Sequence, residues 1–496
     1  MWRDIRPGLH AEGDGAAGWA RVLRQECLAW DMVDGPGRPV ILFSGGLPSW
    51  CDAFVAGGGV AVIDEAPADA LLGTGATATL LRFRPPQRDR DAAMPCLARA
   101  FAGDGEGEIR LHENRKARDG RLADVRPAVL VRRHGRGWLI FTGLPLARHL
   151  VAAGDSLRAF ADASDMTERV ATADKAEIAD TLAWMLRRAF ACLGLPYLRV
   201  ARYPGGARSV FVLRVDVDGL FGANCRRIAE TARAHGVACS FYFNASLCRA
   251  HPGALARDWL EGHEIGHHGD RHDVFDTVAD NAANLRAGTD WLARELGAHG
   301  RGCVAPRGLW NPALDRAMAE LAVPYSSDFG LDFDGLPFVT PAGVLQVPVH
   351  PYSPERHRIH REDCGLGPPG ARAVLDHYLS ALARQSALGR PVHLYGHPEV
   401  LGALAGAVLP ELFAAARDAG LPAMTLGAFA DWWRRRGECG VTLAVDDATG
   451  RRHAETDAEA LEACADTATQ LTLRGTDHRL DAGAWTLLGA HPGDAA

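Results

Sequence analysis

The chain has 496 residues, too many for one hydrophobic core of ordinary size, and its 47% apolar content is that of a folded globular protein. A formal net charge of -7, with 61 acidic against 54 basic residues and no long basic run, argues against nonspecific binding to phosphate backbones. Lysine occurs only at Lys116 and Lys175, so the basic residues are nearly all arginine, which reads as genomic base composition and not as a nucleic-acid signature.

In chain order, the N-terminus MWRDIRPGLHAEGDG lacks the apolar core of a secretion signal, and no uninterrupted run of about 18 apolar residues follows it. Eleven scattered cysteines, odd in number and without a CxxC pair, suit a reducing compartment. The expectation is a cytoplasmic protein without a membrane-spanning segment. Residues 1–195 read as a separate α/β domain. Short apolar strands are predicted at Pro39 to Phe43 and Gly59 to Ile63, a hairpin across Ala128 to Thr142 around His134-Gly135-Arg136-Gly137, and an amphipathic helix over Lys175 to Leu193. This layout, with GRGWLIFTGLPL as a late strand, resembles the flavodoxin-like sheet of glutamine-amidotransferase-type domains. Those enzymes need a nucleophilic cysteine on a sharp strand-to-helix elbow. Cys51 in LPSWCD lacks the flanking glycines, so the domain is expected to bind or position without doing chemistry.

Leu195 to Arg208, with Pro196, Pro204, Gly205 and Gly206, reads as a linker into a central domain over 208–436. The apolar run Ser209 to Leu213 is a predicted buried strand, and RVDVDG after it sets Asp216 and Asp218 at that strand's end. Helices are predicted at Cys225 to His235, Asn281 to Leu296, Asn311 to Leu321, Ala371 to Ala387 and Leu409 to Ala419. Strand-like segments fall between them at Val237 to Asn244, Leu345 to Val349 and Val392 to Tyr395, and repeated strand–helix units imply a parallel sheet. Within it, GHEIGHHGDRH from Gly262 to His272 places His268 and His272 four residues apart. With Asp218 they would form a two-histidine, one-carboxylate set with positions open for water. The same stretch fits HExxH at His263 to His267, but that pattern needs a helix. Gly262, Gly266 and Gly269 oppose one, at about 1 kcal/mol each relative to alanine in a helix interior. The helix-like TLGAFADWWRRR ends the central domain at Arg436, and 437–496 turns β-like in VTLAVDD, TQLTLRG and AWTLL, a small accessory domain.

Taken together, RVDVDG, HHGDRH, APRGLWN and LYGHPE, in that order over roughly Val210 to Arg436, resemble the successive motifs of the polysaccharide deacetylases with NodB homology. The resemblance implies a distorted (β/α) barrel with its chemistry at the strands' C-terminal ends. It implies Asp216 as general base, Asp218, His268 and His272 as ligands of one divalent metal ion, zinc above others, and His397 as general acid. The partner it implies is an N-acylated sugar or glycan precursor, losing an N-acetyl or N-formyl group. One departure stands out: the arginine usual two residues before the third motif's proline is replaced in Val304-Ala305-Pro306, and Arg307 after the proline is the candidate for the same charge. Asp328 in YSSDFG is a candidate for steadying His397, and Trp310 reads either as a sugar-stacking ring or as core. Taken singly, Asp216 and Asp218 also read as turn residues and the histidines as a polar loop. Two other functions stay open, hydrolysis of a non-sugar amide and a catalytically silent module that binds glycan on the same fold.

Overall fold

The structure, a computed structural model, describes residues 2–112, 122–159, 166–218, 222–250, 257–298, 300–446, 448–456, 461–473, 476–484 and 486–488. It divides into two compact units, one of Met1–Ala152, Thr172–Ala201 and Arg436–Ala496, the other of Ala153–Ala171 and Arg202–Arg435.

In the first unit five parallel strands run in the order Asp31–Met32, Gly8–His10, Val40–Ser44, Val60–Asp64 and Gly137–Phe141, extended antiparallel by Val129–His134 and Gly105–Glu106. Val40 to Phe43 and Val60 to Asp64 are buried throughout, the mark of strands covered on both faces, and the helix Lys175–Cys192 buries most of its length. The hairpin read around Gly135 is present as Val129–His134 and Gly137–Phe141. Cys51 is buried at the start of the helix Cys51–Ala56, and burial, aided by Asp69 and Asp52, pushes its thiol up to about 11. A thiol so hard to ionise is no nucleophile at neutral pH.

Residues 437–496 do not stand apart as expected. Val441–Asp446 pairs antiparallel with Trp2–Asp4, and Leu461–Ala465 with Leu198–Val200, so their strands join sheets with earlier segments of the first unit. The bonds that decide this are backbone pairings over hundreds of residues, which leave no local sequence signature.

The second unit holds an eight-stranded sheet in the order Phe338–Val339, Leu345–Gln346, Tyr325–Ser327, Cys303–Val304, Glu264–His267, Ser240–Phe243, Phe211–Val217 and Val392–Gly396, parallel except at its first strand. Helices at Ala223–Ala234, Val278–Leu296, Pro312–Glu320, Ala371–Leu388 and Leu401–Asp418 alternate with these strands, much as their apolar spacing predicts. Among the described residues no strand pairing joins the two outer strands, so the distorted barrel expected is not seen as a closed sheet; on that side the His350 amide donates to the His393 carbonyl at 2.9 Å. The register aligns Val217 with Phe243, Phe243 with His267, and Val215 with Gly396, which brings the carboxyl ends of four adjacent strands, from Glu264–His267 to the outer Val392–Gly396, to one rim. Residues just past those ends can meet in one place.

Candidate active site

Three groups of the sequence motifs meet at this rim. Asp216 and Asp218 close the strand Phe211–Val217, His268 and His272 follow Glu264–His267, and His397 follows Val392–Gly396. Gly219 of the first motif lies outside the described residues. A cleft of about 620 Å³ opens over them, lined among others by Asp216, Asp218, His268, His272, Tyr395 and His397.

The donor atoms of Asp218, His268 and His272 all lie within 4.8 Å of one another. His272 Nε2 is 2.9 Å from Asp218 Oδ2 and 3.1 Å from His268 Nε2. Metal–ligand bonds of roughly 2.0–2.2 Å put neighbouring donors about 3 Å apart, so these spacings fit one small divalent ion. Orientation agrees: His268 Nδ1 lies 2.7 Å from the Val304 carbonyl, an acceptor, so Nδ1 carries the proton and Nε2 presents its lone pair to the cleft. Burial holds His268 near 4, below its ordinary value, against the pull of Asp216, and so keeps it neutral as a ligand must be. Burial works against ionising Asp218, but His397, His272 and His268 together outweigh it and hold the carboxyl well below the usual carboxylate range.

Asp216 is buried beside this trio. Its Oδ2 accepts a 2.8 Å bond from Arg214 Nη2, while its Oδ1, also buried, has no hydrogen-bond partner among the described residues. Arg214, fully buried, is fixed in turn by Ser327 Oγ at 2.9 Å and by the Tyr395 ring, whose centroid is 4.7 Å from the guanidinium carbon. The guanidinium bonded to Asp216 is therefore that of Arg214 and not that of Arg307. Arg307 lines the cleft but is 62% exposed, and Asp273 lies 3.9 Å from its Nη1. Its backbone is left-handed (φ 58), as is Gly308 (φ 63), where a Cβ would strike the Phe329 ring at 2.2 Å.

Across the cleft, His397 Nε2 is 3.6 Å from Asp218 Oδ2 and its Nδ1 is 3.0 Å from Glu355 Oε2. Burial opposes the charged ring, yet Asp218, Glu355 and Asp216 raise it to about 10, so His397 keeps its proton. Glu355 also accepts from the amides of Val400 and Leu401, which start the following helix. The steadying carboxylate is therefore Glu355 and not Asp328. Asp328 is buried, bonds the Leu331 amide, and burial pushes it up to about 7. Trp310 is half-buried and is not among the residues lining the cleft, where Leu309 stands instead. The HExxH reading fails structurally: Glu264 to His267 form a strand, and Glu264 accepts from Ser240 and the Gly427 amide.

Arg214 was legible. Arg214, Asp216 and Asp218 alternate along a strand and so share one face. Glu355 carried a weaker signal: Ser353-Pro354 is a helix start, and Ser353 Oγ does cap the helix Pro354–Asp363 through the Arg356 amide, which sets Glu355 in its first turn.

No protein-family model matches the chain, and no curated protein does. Solved structures do. One described as a polysaccharide deacetylase from Mycobacterium smegmatis is 20% identical, covering 47% of this chain and 93% of its own, with a TM-score of 0.41. The Puue allantoinase is 16% identical over 48% of this chain and 93% of its own, TM-score 0.39. A polysaccharide deacetylase from Pseudomonas aeruginosa PAO1 is likewise 16% identical over 48% and 94%, TM-score 0.39. Among the described residues, no helix is long and apolar enough to cross a membrane.

Proposed function

We propose that the second unit is a metal-dependent N-deacylase that removes an acetyl or formyl group from the nitrogen of a sugar or glycan precursor. The observation that carries the reading is one rim where a two-histidine, one-carboxylate donor set, the Arg214-bound carboxylate of Asp216 and the Glu355-bound imidazole of His397 line the same cleft. Asp218, His268 and His272 would hold the ion, zinc being well suited to this donor set. When bound, such an ion polarises an acyl carbonyl and lowers the pKa of water to about 7.

The chain's own groups do the remaining work. Asp216 takes the proton of the attacking water through Oδ1, the oxygen that is not bonded to Arg214. As the C–N bond breaks, the amine leaves with a proton from His397 Nε2, since an amide anion is too poor a leaving group to depart alone. Glu355 at Nδ1 sets the ring so that Nε2 faces inward.

The sequence feature favouring a catalytically silent module is the missing third-motif arginine, and Arg214 places a guanidinium on Asp216 from another position. The test is acetate and formate release from a panel of N-acyl sugars, their nucleotide-linked forms and simple amides, with the zinc-loaded full chain. Release that disappears in Asp216→Asn supports the reading, and release confined to simple amides moves it to a non-sugar amidohydrolase. Stoichiometric metal with no release from any member overturns it in favour of a binding module.

A further inference from the structure

Part of the cleft's lining comes from an unexpected part of the chain. Residues 153–171 interrupt the sequence of the first unit yet belong to the second. They form an antiparallel hairpin, Asp155–Ala159 with Thr167–Ala171. Its anchors are apolar and backbone groups: Met166 is fully buried in the second unit's core, Val170 and Ala171 pack with Phe329, Phe333 and Tyr395, and the Ala171 amide bonds the Phe329 carbonyl at 3.0 Å. Arg158 reaches back to the Ala171 carbonyl at 3.1 Å with its guanidinium 5.5 Å from the Phe333 ring. Held this way, the hairpin turns Leu157, Glu168 and Arg169 into the cleft.

Glu168 is the group that the proposed chemistry leaves unused. Its side chain is 14% exposed. One oxygen takes the Arg169 amide at 2.8 Å and the other lies 3.3 Å from Arg356 Nε, on the helix that also carries Glu355. Burial of Glu168 raises the cost of its charge, which Arg356 and the Arg169 amide offset. At a cleft wall the pair places spare carboxylate lone pairs beside guanidinium donors, which together read a hydroxyl group as both donor and acceptor. Leu157 at 61% exposure and Ile359 at 39% line the same cleft, and they offer apolar surface of the sort that meets the C–H face of a ring. The cleft volume lies within the roughly 300–1,000 Å³ of small-ligand sites.

We propose that this hairpin is the substrate-selecting wall of the site, and that Glu168 with Arg356 binds hydroxyl groups of a small or chain-terminal polyhydroxylated amide. The proposal rests on the deacylase reading. It makes Glu168 a specificity residue and leaves bond breaking to the rim.

The experiment compares acetate release from N-acetylglucosamine, its UDP-linked form and N-acetylcyclohexylamine, a ring amide without hydroxyls, with N-formyl counterparts, using the zinc-loaded full chain. The wild type is expected to prefer a sugar in kcat/KM. Glu168→Ala should cut that preference about tenfold or more, through KM rather than kcat, as loss of a charged hydrogen-bond partner does. Glu168→Gln, which keeps the volume, should move it the same way by less, and an unchanged Tm in that variant separates lost recognition from lost folding. A preference that neither variant changes, or a wild type without one, overturns the hairpin's role while the deacylase reading stands. No release from any of these amides overturns both.

Discussion

Replacing Arg214 by methionine is the sharpest perturbation of the second unit. The stem would stay packed, but Asp216, 3% exposed, would lose the 2.8 Å bond that neutralises it. Removing one partner of a buried ion pair costs about 3–5 kcal/mol, because a desolvated charge is left behind. Against a typical domain stability of about 5–15 kcal/mol, that is a large share. Loss of the Ser327 hydrogen bond and the Tyr395 ring contact adds to it. If the cost arises from the stranded carboxylate, Arg214→Met with Asp216→Asn should cost less than the sum of the two single changes, with a coupling of about 2 kcal/mol or more. Urea unfolding at pH 7 of the wild type, both single variants and the double variant measures this. A loss under about 1 kcal/mol in Arg214→Met, or strict additivity in the double, would refute the argument that this pair holds Asp216 in place.

Asp216→Asn is expected to retain the metal and lose about 10²–10⁴ in kcat, the usual span for a removed general base; turnover at the parental rate would show that Asp216 is not the base. In the first unit, Asp64 is buried and accepts from Trp19 Nε1 at 3.0 Å and the Ala147 amide at 2.9 Å. Burial dominates these bonds and raises its carboxyl to about 6. The folded chain therefore binds more protons than the unfolded one between about pH 4 and 6, so this stabilisation is complete below about 4 and is lost as pH rises through 6, on the order of 3 kcal/mol in total. Asp64→Asn should flatten the fall in the urea midpoint between pH 4 and 7, and parallel wild-type and variant curves would contradict the assignment.

Most of what the sequence disclosed was periodic or local. Apolar runs bounded by Pro and Gly located two of the first unit's parallel strands, Val40–Ser44 and Val60–Asp64, and the spacing of His268 and His272 singled out two side chains that do lie together. What it did not disclose depends on partners far away in sequence. Glu355 meets His397 across 42 positions, and Val441–Asp446 finds Trp2–Asp4 from the opposite end of the chain. The hairpin at 155–171 is short and mixed in polarity, and its placement depends on contacts with Phe329 and Phe333 that no spacing rule anticipates. Arg307 shows the limit of matching motifs residue by residue: the guanidinium bonded to Asp216 stands on the strand two positions before it.

The central claim is that Asp218, His268 and His272 share one divalent ion. Metal content of the purified chain and of Asp218→Ala, after dialysis against zinc and removal of the free ion, tests it most directly. The account predicts close to one equivalent in the wild type and almost none in the variant, with both folded by circular dichroism. Equal metal in the two proteins, or none in either, would contradict it.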